Sequence, residues 1–258
     1  MKKILLLSVL LLVSFSNFNC GNKNKVNQKP QVPQNGISDY QKAQQLLIRT
    51  KNLLLEFPTE KDIYGVKNVF DGSVVTTCIH DDGTWNFSIE GQPYLIFLVP
   101  TQHDFDEGCP NMNAVMVTKS GKINDVEFPF IVINPMWLQI AKTEVDLDYL
   151  ATCMVHESIH CRRFMGVTLG KLKQISSTER EKEAYTFQFR FLPMVLERNN
   201  LQNIQIPQAV EINSHKDMIV AASKIDVANG GKLGMLSSLV LQNAYLEKCL
   251  PFLVLPGK

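Results

Sequence analysis

The stretch that decides the fold is LDYLATCMVHESIHCRRF, residues 147–164. It contains no proline and no glycine, and the next glycine in the chain is Gly166. Thr143 and Asp146 stand just before it. Both are residue types that cap helices, and an acid at a helix N-terminus interacts favourably with the helix dipole. The sequence therefore predicts one long helix from about Thr143 to Gly166.

This helix carries two histidines, His156 and His160, one turn apart. Residues four apart lie on one helical face, so both imidazoles can bind one ion at about 2.0–2.1 Å. Glu157 is rotated by about 100° and is better placed to reach a water on that ion than the ion itself. This arrangement is typical of the zinc motif His-Glu-x-x-His, in which the glutamate deprotonates the bound water. The alternative is a structural helix with two incidental histidines.

A hydrolytic zinc site needs a third protein ligand, and a glutamate-rich stretch follows the helix: TEREKEAYTFQ, residues 178–188. The two stretches together resemble the gluzincin branch of the zincin metallopeptidases, in which a second helix supplies a glutamate ligand. Several of those families carry Glu-x-x-Ala followed by a polar or aromatic residue, and EKEAY, residues 181–185, fits that register. The resemblance covers roughly residues 147–190.

The resemblance implies that Zn²⁺ is held by His156, His160 and Glu181, with Glu157 as the catalytic base. Activated water then attacks a peptide carbonyl, and the same glutamate protonates the leaving amine. It also implies an extended substrate that adds a strand to the edge of the sheet. The last candidate strand, PFIVINP at residues 129–135, is a candidate for a position near that edge.

Two further glutamates, Glu179 and Glu183, are the alternatives to Glu181 as third ligand, but acids in a first helical turn are expected to be solvated. Tyr185 follows Glu181 by one turn, where its hydroxyl can orient a ligand or stabilise an oxyanion. The alternative for Tyr185 is a place in the core.

Other polar residues of the long helix have simpler expected roles. Cys153 lies on the same face as the two histidines, so a closed Cys-His-His structural site is the alternative to a core cysteine or a disulfide partner. Arg162 and Arg163 are expected to complement the C-terminal end of the helix rather than to bind substrate.

The segments before the long helix predict one helix and about five strands. Ser38 and Gln41 form a capping-box pattern, and apolar residues then recur at helical spacing until Pro58. Short apolar runs joined by the turn sequences DDG and EGQP are typical of a strand meander. The segment TQHDFDEGCPNMN, residues 101–113, is expected to be a loop. The five candidate strands are residues 74–79, 85–89, 94–99, 114–118 and 128–133.

The segments after the long helix predict only helices. One begins near Ser177 and is kinked by Pro193, a second spans residues 214–228, and a third spans residues 233–250 and ends at Pro251. The fold class is therefore α+β, with a small mixed or antiparallel sheet packed on the motif helix and a helical C-terminal part. The resemblance makes this fold zincin-like.

The N-terminal residues have the pattern of an exported protein. Residues 1–19 combine two lysines with an apolar run too short to span a bilayer permanently, which predicts a signal peptide. Cys20 and a polar linker to residue 37 follow, and this arrangement resembles a bacterial lipoprotein precursor in which the cysteine is acylated. An ordinary cleaved signal and a retained anchor are the alternatives. Each of these three interpretations places the domain outside the cytoplasm.

Composition argues against one class of binding partner and limits the disulfides that can form. The formal net charge is +1 and there is no long basic run, which argues against nucleic-acid binding. Five cysteines follow Cys20, so two disulfides are compatible with an oxidising compartment, but spacing does not predict their pairing.

Together these patterns predict one zincin-like metallopeptidase domain, residues 38–258, attached to a bacterial membrane surface through Cys20 and acting on peptides or proteins. The competing hypothesis is a surface lipoprotein that keeps the zincin scaffold but serves as a binding or adhesion module. Substrate preference and oligomeric state do not follow from the sequence.

Overall fold

The computed structural model describes residues 37–57, 60–110, 112–123 and 126–254. The expected signal peptide, Cys20 and all of the expected linker except Ile37 lie outside the described residues. Within those ranges, no helix has both the length and the hydropathy needed to cross a membrane. In chain order, the elements are α1 (Asp39–Leu55), α2 (Glu60–Asp71), β1 (Val74–Asp81), β2 (Thr84–Phe87), β3 (Ile96–Val99), α3 (Gln102–Gly108), β4 (Met116–Ile123), β5 (Val126–Ile133), α4 (Pro135–Ile140), α5 (Glu144–Thr168), α6 (Ser177–Phe189), α7 (Leu192–Arg198), α8 (His215–Ala228), α9 (Leu236–Ala244) and α10 (Leu246–Leu253).

Helix α1 begins and ends where its sequence signals predict. Ser38 caps it, and the hydroxyl of Ser38 accepts a hydrogen bond from the backbone N–H of Gln41 while the Gln41 side chain bonds back to the cap. The periodic apolar residues of α1 are buried, and the helix ends before Pro58. Helix α2 follows in a segment for which the sequence offered no prediction.

The five strands form one curled sheet in the order β2-β1-β3-β5-β4. The two central pairs, β1–β3 and β3–β5, are parallel, and the outer pairs β1–β2 and β4–β5 are antiparallel. The mixed α/β architecture agrees with the expected mixed sheet.

The expected meander is wrong at β3. The turn at Asp82 and Gly83, both with positive φ, does join β1 and β2 as a hairpin. However, β3 then lies on the other side of β1 rather than beside β2. Every residue of β3 is buried, whereas β2 has no buried residue. A strand that is apolar on both faces is most stable in the centre of a sheet, and a partly exposed strand suits an edge.

Alternate residues of the central strands pack into two different hydrophobic cores. Phe97 and Val99 belong to the larger core, which also contains side chains of α1 and α5. Ile96 and Leu98 point to the opposite face and pack with Phe105 of α3. The segment expected to be a loop at residues 101–113 therefore contains a helix, which Thr101 caps and whose buried Phe105 covers the second face.

The C-terminal part is helical, as expected, but is divided differently. Pro193 lies in the first turn of α7, so the predicted kink separates α6 from α7. Ser214 caps α8 as predicted. The single helix expected over residues 233–250 is two helices, because Tyr245 has non-helical φ and ψ and its hydroxyl donates to the backbone carbonyl of Pro207. Pro251 lies inside α10 rather than beyond its end.

Candidate metal centre

Helix α5 is the central element of the larger core. Thr143 caps it, and the Asp146 side chain bonds back to the cap, so both predicted capping residues act together. Every residue from Asp148 to Ile159 is buried, because α5 packs against α1, α6 and the strands β4 and β5. His156 and Glu157 therefore lie in the interior, at 6 % and 8 % exposure.

Helix α6 crosses α5 close to the two histidines. Ser176 caps it, and its inward residues are Glu181, Ala184 and Gln188. Ala184 is fully buried at this contact, and a methyl side chain there allows the two helices to approach closely. Glu181 is thereby carried to the histidine face of α5.

His156, His160 and Glu181 lie together as a group that can hold a metal ion. The Nε2 atoms of the two histidines are 3.2 Å apart. Glu181 Oε2 lies 3.4 Å from His156 Nε2, and Glu181 Oε1 lies 3.5 Å from His160 Nε2. Ligands at about 2.0–2.1 Å from a tetrahedral ion are separated by about 3.3 Å. The distance between the two nitrogens, and the distance from each nitrogen to one oxygen of Glu181, are thus close to the edge length of a tetrahedral site, with the two histidines facing different oxygens.

A chain of hydrogen bonds fixes the tautomer of His156. The Thr152 hydroxyl donates to the backbone carbonyl of Tyr149 at 2.7 Å, so its oxygen is left to accept from Gln188 Nε2 at 2.9 Å. The amide of Gln188 is then oriented with Oε1 toward His156 Nδ1, 3.0 Å away. A carbonyl oxygen only accepts, so Nδ1 carries a proton, and Nε2 is the ring nitrogen that faces His160 and Glu181. A metal ion would therefore bind His156 through Nε2.

Glu181 is ionised. Burial raises the pKa of its carboxyl group, but hydrogen bonds and charge from His156 and His160 outweigh that effect and hold the pKa well below its usual range. The group as a whole offers two nitrogen donors and one carboxylate, a donor set that binds zinc and other divalent transition metals.

Glu157 is outside this group and is held against the sheet. Its Oε2 accepts hydrogen bonds from the backbone N–H and the hydroxyl of Thr118 on β4, at 2.8 Å and 2.6 Å. The structure thus separates Glu157 from the residues with metal-ligand spacing, as the helical rotation predicts. Its carboxylate is fixed between α5 and β4.

Tyr185 packs on the face of the site. Its ring meets that of His156 edge to face, with 4.3 Å between centroids. Burial is the largest effect that raises the pKa of the Tyr185 phenol well above its usual value, and the negative charge of Glu181 is the second. The phenol therefore stays protonated at neutral pH, with its ring against that of His156.

The two alternative glutamates are engaged elsewhere. Glu179 completes the capping box of Ser176 at the start of α6. Glu183 pairs with Arg163, whose Nη2 lies 2.9 Å from Oε1 of the carboxylate. The expected role of Arg162 and Arg163 at the helix end is wrong, because α5 continues to Thr168 and neither arginine is in its last turn.

The cysteines add no ligand to the site. Cys153 is buried beneath it, with Sγ 3.8 Å from Gln188 Nε2, and burial raises the pKa of its thiol to about 12. All five cysteines in the described part of the chain are buried, and none of them forms a disulfide there. Cys78 and Cys109 lie in one core and the other three in the second, so the two disulfides that an oxidising compartment would allow are not formed among these residues.

Three site residues were missed by reasoning from the sequence: Thr118, Thr152 and Gln188. Thr118 and Gln188 contact the motif across 39 and 32 residues of chain. Only the helical spacing of Gln188, seven residues after Glu181 on the same face, was a usable signal.

Comparison of the chain with protein-family models, with curated proteins and with solved structures finds no match. The likeness to gluzincins is therefore carried by the motif residues.

Proposed function

We propose that this chain is a zinc-dependent metallopeptidase of the zincin type. The observation that carries the proposal is the convergence of His156, His160 and Glu181, whose ligand atoms lie within 4.8 Å of one another and can hold one metal ion. The ionised Glu181 and the fixed tautomer of His156 support the same donor set. His-His-Glu ligation leaves one position open, which is the arrangement of catalytic rather than structural zinc.

Each residue of the site has a different proposed role in hydrolysis, which follows from its surroundings. Zinc bound by the three ligands would polarise a peptide carbonyl and lower the pKa of a bound water. Glu157 would be the base that accepts a proton from the attacking water and the acid that returns it to the leaving amine. The two hydrogen bonds from Thr118 keep the Glu157 carboxylate in position. Tyr185 supplies a neutral hydroxyl that can donate to developing negative charge.

The substrate is proposed to bind along β4. The strand first expected near the substrate, β5, lies between β3 and β4, whereas β4 is the last strand of the sheet among the residues that the structure describes. An extended peptide can add to such an edge through backbone hydrogen bonds. Thr118 on β4 contacts Glu157, so a peptide there would pass beside the base.

We also propose that the domain is held at a bacterial membrane surface by acylation of Cys20. The support is the leader, the cysteine and the polar linker that follow one another at the N-terminus. The exported setting is compatible with a peptidase that acts on peptides or proteins of the cell envelope.

Two substitutions test the proposed mechanism in one experiment. Glu157→Gln removes the base but no ligand, so we expect full zinc content and loss of cleavage of a mixed peptide library. Glu181→Gln replaces an anionic ligand by a neutral amide, so we expect weaker zinc binding and partial recovery of cleavage at high zinc. Cleavage by Glu157→Gln at the parent rate would refute the mechanism. Stoichiometric zinc without cleavage by the parent chain would favour the binding-module hypothesis.

A further inference from the structure

A cavity of about 360 Å³ opens beside the metal centre. Its wall is formed by β4, the C-terminal half of α5 and the start of α6, and it includes both His160 and Glu181. A group bound in this cavity is therefore next to any ion held by those two ligands.

The wall of the cavity contains three cationic side chains, Lys119, Arg163 and Arg180. The charge of Arg163 is already matched, because its guanidinium pairs with Glu183 through Nε and Nη2. Lys119 and Arg180 have no ion-pair partner within the ranges that the structure describes. With the charge of Glu181 committed to a divalent ion, the cavity is left with an excess of positive charge.

Arg180 is the cationic side chain of this wall best suited to recognise an anion. Its side chain lines the cavity, and its Nη2 donates to the Ser177 hydroxyl at 3.0 Å. Because no carboxylate of the described residues pairs with Arg180, its guanidinium keeps N–H donors for an anion bound in the cavity. A carboxylate matches the planar fork of an arginine better than a neutral group does.

We propose that Arg180, assisted by Lys119, binds a carboxylate of the peptide substrate close to the scissile bond. This inference rests on the proposed peptidase function and adds its specificity: the enzyme prefers peptides with an acidic side chain or a free C-terminal carboxylate in this cavity. A single charge-assisted hydrogen bond is worth roughly ten- to hundredfold in affinity.

Two pairs of peptides distinguish the sources of the carboxylate. The first pair has an amidated C-terminus and differs only by Glu or Gln at one internal position, which is scanned along the peptide. The second pair has neutral side chains and differs only by a free or an amidated C-terminus. Affinities are measured by calorimetry on the full chain loaded with zinc, with Glu157→Gln to prevent turnover, and again without zinc.

We expect one pair to show at least about tenfold tighter binding of the acidic member. A preference in the first pair identifies a side-chain carboxylate, and a preference in the second identifies the C-terminus. Equal affinities within both pairs would overturn the proposal without the use of any cavity variant.

The preference is assigned to Arg180 by substitution in the same Glu157→Gln background. Arg180→Gln should bring the ratio of acidic to neutral affinity close to one, and Arg180→Lys should keep part of it because it keeps the charge. Lys182→Gln is the matched control, since it removes a charge from the same helix outside the cavity and should leave the ratio unchanged. If Arg180→Gln does not fold, Arg180→Lys and Lys119→Gln still test the assignment. An unchanged ratio in the folded Arg180 variants overturns it.

Failure of this inference is distinguishable from failure of the peptidase proposal. Carboxylate preference without any cleavage by the parent chain leaves the subsite intact and refutes the peptidase. Cleavage of neutral and acidic peptides at equal rates leaves the peptidase intact and refutes the subsite.

Discussion

Gln188 is the side chain that orients His156 in the candidate metal centre. It is 2 % exposed, and its amide is held by Thr152 so that the carbonyl oxygen faces His156 Nδ1. Such partners of a ligand histidine orient the ring and fix its tautomer. The neutral amide does this without adding a charge to the site.

Removal of the contact between Gln188 and His156 Nδ1 should weaken metal binding. Gln188→Leu keeps the approximate volume but offers no acceptor, so we expect zinc affinity to fall about 10- to 100-fold. Gln188→Glu keeps an acceptor oxygen and should retain most of the affinity. Competition with a chelator measures both values, and ¹⁵N chemical shifts of His156 report the tautomer. Equal affinity in Gln188→Leu and the parent chain would contradict this role.

Tyr185 gives a pH dependence of stability. Burial raises the pKa of its phenol in the folded chain, while the unfolded phenol ionises near pH 10. The unfolded state therefore loses the proton first, and the free energy of unfolding should fall as the pH rises above about 10, by at most about 1.4 kcal/mol per pH unit from this group. Denaturant titrations from pH 8 to 11 should show a smaller fall in Tyr185→Phe. Tyr94→Phe, at a 70 % exposed position, is the control. Identical pH profiles for the parent chain and Tyr185→Phe would rule out the effect.

At the residue level, the sequence predicted the features that depend only on spacing along one helix. His156 and His160 share a helical face because they are four apart, and the rotation of Glu157 follows from the same geometry. The choice of Glu181 needed the likeness to gluzincins, since Glu179 and Glu183 are one half-turn away on the same helix. The roles of Thr118 and Gln188 depend on contacts between distant elements, which no local pattern encodes.

The contact between α5 and α6 is the element-level feature on which the centre depends. Ala184 is fully buried where the helices meet, between the turns that carry Glu181 and Gln188. A change in the distance between these helices moves Glu181 relative to both histidines.

A larger side chain at this contact should therefore affect stability and metal binding together. Ala184→Leu overfills the interface, which typically costs about 1–3 kcal/mol in free energy of unfolding, and it should also lower zinc affinity. Thr186→Leu on the exposed face of α6 is the control and should change neither strongly. Denaturant unfolding and zinc competition on the same samples provide the measurement. Parent-like zinc affinity in a destabilised Ala184→Leu chain would show that the helix spacing does not set the site.

The helices were predicted better than the strand order. Ser38, Thr143 and Ser214 cap their helices through hydrogen bonds within three residues, so a local pattern is sufficient to find them. The place of β3 in the sheet depends on burial of both its faces and on pairing with β1 across an intervening hairpin. Turn sequences such as EGQP do not contain that information.

At the scale of the whole molecule, the curled sheet has a larger and a smaller core, and the metal group lies on the side of the larger one. The edge strand β4 contacts α5 through Thr118 and also lines the cavity that contains His160. The proposed base is therefore brought to the proposed substrate edge by one helix–strand contact.

Attachment to the membrane is a prediction for the whole chain. Cys20→Ser removes the thiol that would be acylated, so the variant should lose the lipid and move from the membrane fraction to the soluble fraction. Mass spectrometry of the mature N-terminus identifies the modified residue in the parent chain. A mature N-terminus other than Cys20, without a lipid mass, would exclude acylation.

The most direct test of the proposed zinc centre is a crystal structure of the zinc-soaked domain, with anomalous scattering measured on both sides of the zinc edge. We predict one anomalous peak per chain, at about 2.0–2.1 Å from His156 Nε2, His160 Nε2 and an oxygen of Glu181, with Glu157 outside the ligand shell. A zinc peak elsewhere in the chain, or none between these three side chains in a crystal with stoichiometric zinc, would contradict the account.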